Sequence, residues 1–465
     1  MSFSERRKIK KEFVRYAVPS VAGMVVSSLY TVIDGIFVGR GVGDLALGGV
    51  NIVFPFIMLI ISLTMLVAIG GANLAAFARG RGDGAGANNM FRQSLILLFA
   101  VGAALSLAAF FFNRELCLLL GADALLLSPA ETYLRSMAPF VAVQTIGLGL
   151  SVFVRNDGSP NLAMLGTIAG AIINIILDYV FIMIWDWGIE GAAIATGIGL
   201  SFEFIVYASH FVRRSGQFRI GRPVFSVRDT GRLLYNGLSS FLMEFCQSAI
   251  AFSFNIVIMA YMGATGVAAY GVVTYICSSF NMILIGITQG AQPIISYNHG
   301  LNKPEAVVNI HALGCKSSLI VSVLFVAACL LFTGQLVGLF IVDSPELSEL
   351  TGRMLAYVCV GYVPVGLTLM NILFFQATER EGRSTLVSVL RCLGFVQLFL
   401  LILPRYWGEY GIYLSFFCGE TCNWLTSAVL YIAIDPPEEL AAVQPVYQPI
   451  VSASGRYVAR RSRKR

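Results

Sequence analysis

Five carboxylates, Asp34, Asp178, Glu203, Glu244 and Glu420, fall inside long apolar stretches, and the sequence places no lysine or arginine in those stretches beyond their ends. An ionised carboxylate away from water is so costly that it either finds a partner or takes up a proton. That is proton-carrier chemistry: an acid protonated toward one side and ionised toward the other couples a proton gradient to movement of a second solute. Three polar stripes accompany these acids. Thr167, Asn174 and Asp178 are spaced by seven and four, Glu244, Ser248 and Asn255 by four and seven, and Asn281, Thr288 and Gln292 by seven and four. Such steps stay on one face of a helix, so each stripe is expected to face a cavity. Asp34 sits one turn after Tyr30 in LYTVIDGIFVG, where Gly35 and Gly39 allow the helix to bend or to approach a neighbour. The bland alternative for each acid is a hydrogen bond that joins two helices. It suits Glu203 and Glu420 best, and Asp34 and Asp178 least.

The elements that hold these residues follow from composition. The chain has 465 residues, 57% apolar and only 12% charged, against about 25% charged in an ordinary soluble domain. A cytosolic globule and a disordered chain are both excluded. A crossing needs about 20 apolar residues, so twelve crossings use nearly the whole length and leave no room for a large soluble domain. Apolar runs occur at about 13–39, 45–78, 93–112, 132–154, 161–185 and 190–211, then at 233–261, 267–297, 317–342, 354–377, 384–403 and 409–433. The fold expected is an all-α integral membrane protein. The first run follows a basic start (Arg6, Arg7, Lys8, Lys10, Lys11) but is too long for a signal peptide and lacks A-x-A, so it reads as an uncleaved helix.

Charge sets the orientation. With these spans, 27 of the 32 lysines and arginines fall on one side, leaving Arg40, Arg114, Arg135, Arg353 and Arg405 on the other. The skew puts both termini in the cytoplasm. The basic tail Arg456 to Arg465 and the cluster Arg213, Arg214, Arg219, Arg222, Arg228 and Arg232 read as contacts to anionic headgroups of membrane lipids, not as nucleic-acid patches. The nine cysteines lie singly in or beside apolar stretches and read as core packing. Cys418 and Cys422 share a helix face, without the His or acid that would complete a metal site. No Gly-Lys dipeptide occurs, so the phosphate loop of an ATPase is absent and energy must come from elsewhere.

Sliding the chain by about 220 residues brings WGIEG at 187–191 onto WGEYG at 407–411, GVGDLALGGV at 41–50 onto GATGVAAYGV at 263–272, and GAN at 71–73 onto GAQ at 290–292. Each half holds six spans, an even number, so the halves are parallel repeats about an axis along the membrane normal. Transporters of that kind bind substrate near the midplane between halves. The organisation expected is a bundle at 1–212, a cytoplasmic linker at 213–232, a second bundle at 233–434 and a basic tail at 435–465.

The segments LYTVIDGIFVGRGVG, RNDGSPNLAM, NIILD and GITQGAQPIISYNHG resemble the multidrug and toxic compound extrusion (MATE) family over about residues 12–433. The resemblance implies two pseudo-symmetric six-helix bundles around a central cavity. It implies a cofactor-free antiporter in a bacterial inner membrane that exports cationic lipophilic compounds in exchange for protons or sodium ions, and we expect a monomer. By the same resemblance Asp34 matches the family's first-helix acid, whose protonation is linked to helix bending and drug release, and Asn174 with Asp178 matches its fifth-helix pair. Glu244 looks like the seventh-helix acid of another branch, which with Asn255 would give a second-bundle site. Its partner near the tenth helix is unclear, because Glu379 and Glu381 fall in the charged loop TEREGR. Asn156 and Asp157 depart from the family's usual residues before the fifth helix.

Asp34, Asp178, Asn174 and Thr167 are thus the expected coupling residues, and their oxygens serve equally as a proton relay or as ligands for sodium. Tyr30, Gln144, Met164, Asn281 and Gln289 are the expected cavity residues. Three rivals compete with this reading. A lipid-precursor flippase of the same superfamily should need arginine or lysine in its cavity. An intramembrane aspartyl protease would use the G-x-G-D at Gly41 to Asp44, but no Tyr-Asp dipeptide supplies a second aspartate, so no enzyme is expected. A channel should show a ring of carboxylates.

Overall fold

The computed structural model describes residues 3–222, 224–341 and 344–433; the expected basic tail lies outside the described residues. Every regular element among them is helical. In chain order these are α1 (Phe3–Gly41), α2 (Asp44–Gly80), α3 (Gly84–Phe111), the short α4 (Asn113–Leu119), α5 (Leu127–Asn156), α6 (Pro160–Asp178, continued by a π-helix over Tyr179–Ile184) and α7 (Gly188–Val212). Then follow α8 (227–262), α9 (264–300), α10 (Pro304–Leu331), the short α11 (Thr333–Gly338), α12 (345–377), α13 (381–407, with a π-helix over Leu390–Gly394) and α14 (409–432).

Among the described residues, ten continuous helical segments are long and apolar enough to cross a membrane. Two of them, Val227–Gly300 and Glu381–Ile432, are each broken by one residue of non-helical backbone, Gly263 (φ 65°) and Gly408 (φ 55°). Only glycine adopts such angles readily, so each is a turn between two crossings and the ten segments make twelve spans. The repeat reappears in backbone detail. Gly43 (φ 110°) and Gly188 (φ 59°) make the equivalent turns 220 residues earlier, and Phe112 and Phe332 interrupt the helix at nearly the same angles.

Ladder satisfaction and surface apolarity both fit a bilayer. Helices satisfy their own backbone groups, which hydrocarbon demands. Large apolar side chains such as Phe99, Leu107, Phe252, Leu324 and Val429 are exposed while Asn73, Asn174, Asn371 and Asn423 are buried, the reverse of a soluble protein. Expected and observed spans differ most where a charged residue was taken as a boundary. Arg92 lies inside α3 and Lys316 inside α10, so both helices begin earlier than expected. The apolar α11 had been read as the end of α10.

The described residues divide into two compact units, one covering Arg15–Ala249 and the other lying within 3–14 and 250–433, so the division falls inside α8. The first unit has an aromatic core in which Phe91 packs on Phe153, Phe211 and Phe218, with ring centroids 4.8 to 5.2 Å apart.

Candidate functional site

In the first unit, α1, α5, α6 and α7 bring together acids, amides and hydroxyls. Small residues permit the close approach. Gly23 of α1 packs against the backbone of Met164 on α6, and Gly199 of α7 against Asn174. Gly166 and Gly170 of α6 are covered by Tyr207 and Glu203 of α7, leaving no room for a methyl group at either glycine.

The carboxyls of Asp34 on α1 and Asp178 on α6 interact directly, and the Asn174 amide interacts with Asp178. Asp178 and Asn174 are buried, Asp34 half-buried. Both Asp178 oxygens, Asp34 Oδ1 and Asn174 Oδ1 are shielded from solvent without a hydrogen bond of ordinary geometry. Asn174 Nδ2 donates to Thr196 Oγ1 on α7 at 3.4 Å. Tyr30 and Tyr133 lie within electrostatic reach of both aspartates. Four buried acceptor oxygens drawn together, with the Asn174 amide beside them but no hydrogen bond of ordinary geometry to any of the four, form a set that takes up protons or a hard cation. The π-helix begins at the residue after Asp178, and such widened turns recur at functional sites because they can shift register.

A second polar group adjoins the first. Thr167 Oγ1 lies 2.9 Å from the Tyr207 hydroxyl, which also reaches Glu203 Oε2 at 3.4 Å and the Ala163 carbonyl at 3.1 Å. Arg155 is buried, donates to Ser151 Oγ at 3.3 Å and lies within electrostatic reach of Glu203. Thr167 is therefore bonded toward Glu203, while Thr196, which no sequence spacing singled out, holds Asn174. Glu203 belongs with this polar group, where the Tyr207–Thr167 contact beside it joins α7 to α6, the helix-joining kind of hydrogen bond expected for it. The signal that would have found both is the spacing of α7 itself, since Thr196, Glu203 and Tyr207 fall at steps of seven and four.

The other expected residues are dispersed. Gln144 on α5 and Gln289 on α9 are half-buried, and Asn281 on α9 is buried; their side-chain oxygens lack hydrogen bonds. Glu244 on α8 is half-buried and Asn255 exposed. The stripe Asn281, Thr288 and Gln292 is buried along its length.

One expectation is corrected. The sequence reading puts Arg391 and Arg155 in loops, with no cation inside a span. Both are buried in helices, Arg391 in the π-helix of α13, where its Nε donates to Glu420 of α14 at 2.9 and 3.2 Å. The count failed because Arg391 lies only seven residues into its span, near enough to the end to pass for a boundary. Among the described residues no group of three or more His, Cys, Asp or Glu is placed to hold a metal. Seven of the nine free cysteines are buried, and Cys418 and Cys422 are half-buried.

The sequence profile of the MatE family matches residues 19–180 and 240–400. The multidrug export protein MepA of Staphylococcus saprophyticus is 25% identical over 445 residues, covering 93% of this chain and 96% of its own length. Among solved structures, a multidrug resistance MATE family transporter of the MOP superfamily in an outward-facing conformation superposes with a TM-score of 0.85 at 26% identity, covering 91% of this chain and 94% of that one. A MOP superfamily transporter from Pyrococcus furiosus, described as having a binding pocket of reverse polarity, gives a TM-score of 0.85 at 25% identity, covering 91% and 95%.

Proposed function

The chain belongs to the MatE family, and we propose that it is a multidrug efflux antiporter, not an enzyme, which exports small cationic lipophilic compounds in exchange for protons or sodium ions. MepA and the outward-facing relative are both described as multidrug transporters. The observation that carries the exchange is the set of buried oxygens on Asp34, Asp178 and Asn174 that lack a hydrogen bond of ordinary geometry. In this reading a proton or sodium ion entering from outside neutralises Asp34 and engages Asp178 and Asn174. The site's hold on a cationic drug weakens, α1 bends, and the drug leaves. Return to the inward-facing state frees the ion to the cytoplasm and restores the negative charge. Residues 1–212 and 233–434 act as the two bundles, with both termini in the cytoplasm.

The flippase alternative rested on cations that its cavity would need. Arg391 and Arg155 are buried in helices, but Glu420 matches the charge of the first and Glu203 lies within electrostatic reach of the second, so the paired aspartates of the first unit still favour a cationic guest.

The test is efflux of a fluorescent cation from proteoliposomes under a pH gradient or a sodium gradient imposed separately, with wild type beside Asp34→Asn. Efflux driven by one gradient and lost in Asp34→Asn supports the antiporter and identifies its ion. Efflux unaffected by Asp34→Asn overturns the assigned site, and no efflux under either gradient overturns drug antiport in favour of lipid-linked substrates.

A further inference from the structure

The segment between α7 and α8 is a clamped strap with one face turned outward. Asp157, at the end of α5, accepts from the backbone N–H groups of Gln217 at 2.8 Å and Phe218 at 3.4 Å, and pairs with His210 Nε2 at 3.0 Å and Arg79 Nη1 at 3.6 Å. The first turns of α3 hold the rest. Asn88 Oδ1 accepts from the Arg219 N–H at 2.6 Å, Arg92 Nε donates to the Arg219 carbonyl at 2.9 Å, and the Asn89 amide exchanges two hydrogen bonds with the Val224 backbone, at 2.8 and 3.0 Å. Phe218 is driven inward against Phe91.

With its backbone thus engaged, the strap directs apolar side chains away from the protein: Ile220 is 58% exposed, Val224 76%, Phe225 60% and, in the first turn of α8, Val227 80%. Arg213, Arg214, Arg222 and Arg228 are interleaved with them, exposed and without a carboxylate partner among the described residues. The strap joins the same-side ends of two membrane-length helices, so this face lies at the level of the headgroups. A surface mixing exposed apolar groups with cations matches the boundary between acyl chains and anionic headgroups. A soluble polyanion would meet the arginines and leave the apolar groups uncovered.

We propose that residues 213–222 and 224–228 form a binding surface for anionic phospholipid, with phosphates on the arginines and Ile220, Val224, Phe225 and Val227 seated among the upper acyl chains. The surface is independent of the coupling site, and its test does not use transport. The full-length protein is equilibrated with mixed phosphatidylglycerol and phosphatidylcholine, and retained lipid is measured by native mass spectrometry. Wild type is expected to retain phosphatidylglycerol selectively, with a preference that falls by about fivefold for each arginine replaced by glutamine. Replacing Ile220, Val224 and Phe225 by serine should lose retention, and excess inorganic phosphate should displace nothing. Hydrogen exchange of residues 213–228 in wild type, slower in phosphatidylglycerol-containing vesicles than in phosphatidylcholine alone, gives the same reading without a variant. Unchanged selectivity in the arginine variants overturns the proposal. So does displacement by inorganic phosphate with the serine variant still binding, which would mark a simple anion site, or exchange that is identical in the two vesicles.

Discussion

Arg391 on α13 and Glu420 on α14 form a buried ion pair inside the second unit, the one guanidinium Nε–H shared between the two carboxylate oxygens at 2.9 and 3.2 Å, with the Arg391 side chain 7% and the Glu420 side chain 0% exposed. Removing one partner leaves a buried charge uncompensated, which destabilises by about 3–5 kcal/mol, whereas replacing both with apolar residues of similar volume is close to neutral. Glu420→Leu is therefore expected to lower the thermal midpoint of the purified protein sharply, and Arg391→Met with Glu420→Leu to recover most of it. If the double variant unfolds as early as the single one, the pair serves more than charge balance.

The crossing of α2 and α8 is set by glycine. Gly70 and Gly237 face each other so closely that a methyl group on Gly70 would lie 2.8 Å from the Gly237 nitrogen, and one on Gly237 would strike the Leu66 carbonyl. The crossing is closed by a hydrogen bond from Asn73 Nδ2 to Asn236 Oδ1 at 3.0 Å, buried from solvent. Because backbone cannot yield as a side chain can, Gly237→Ala should force the helices apart and destabilise by about 1–3 kcal/mol. A thermal scan checks this, and Asn73→Ala should cost less, since it removes a side chain without moving backbone.

The twelve crossings were legible because burying a helix in lipid writes itself into long apolar runs, and Gly263 and Gly408 fall where the runs were divided. Asp178 and Asn174 were legible for a similar reason: a polar side chain at seven-residue and four-residue spacing stands out in such a run. What spacing within one helix does not carry is the partner on another. Thr196 looked like any hydroxyl in a small-residue helix until α7 was laid against α6, and Glu420 looked solitary because its counter-ion lies 29 residues earlier in sequence, in a π-helix that helical periodicity does not register. Asp157 stood out only as unusual, and its hydrogen bonds to a distant loop explain why.

Asp157 carries the attachment of that loop. Its carboxylate serves two backbone N–H groups, His210 and Arg79, so Asp157→Ala strands several buried donors at once. Each stranded donor costs about 1–3 kcal/mol. The loss should be local: amide exchange at Gln217 and Phe218 should accelerate by at least tenfold while that of α13 and α14 stays as in wild type, measured by hydrogen exchange with mass spectrometry. Acceleration spread evenly over the chain would mean that Asp157 supports global stability instead.

Thr196 and Thr167 separate the proposed coupling site from its neighbour. Both hydroxyls sit on polar stripes of adjoining helices, yet Thr196 accepts from the Asn174 amide at 3.4 Å, whereas Thr167 lies against Tyr207 at 2.9 Å. If Asn174 must hold its amide beside Asp178 to serve the ion, the hydroxyl that orients the amide acts as outer support for the ion, a role whose loss weakens affinity by about 10–100-fold. Thr196→Val keeps the volume and removes only the hydrogen bond. It should raise the driving-ion concentration for half-maximal efflux by about tenfold, with little change in the maximal rate once the ion saturates. Thr167→Val leaves Asn174 and Asp178 in place and should shift that concentration by less than about twofold, although its loss exposes Tyr207 and Glu203 to rearrangement. The measurement is the initial rate of fluorescent-cation efflux from proteoliposomes across a series of ion gradients. Equal shifts in the two variants would mean that ion binding extends over both polar groups, with Glu203 a ligand and not a neighbour.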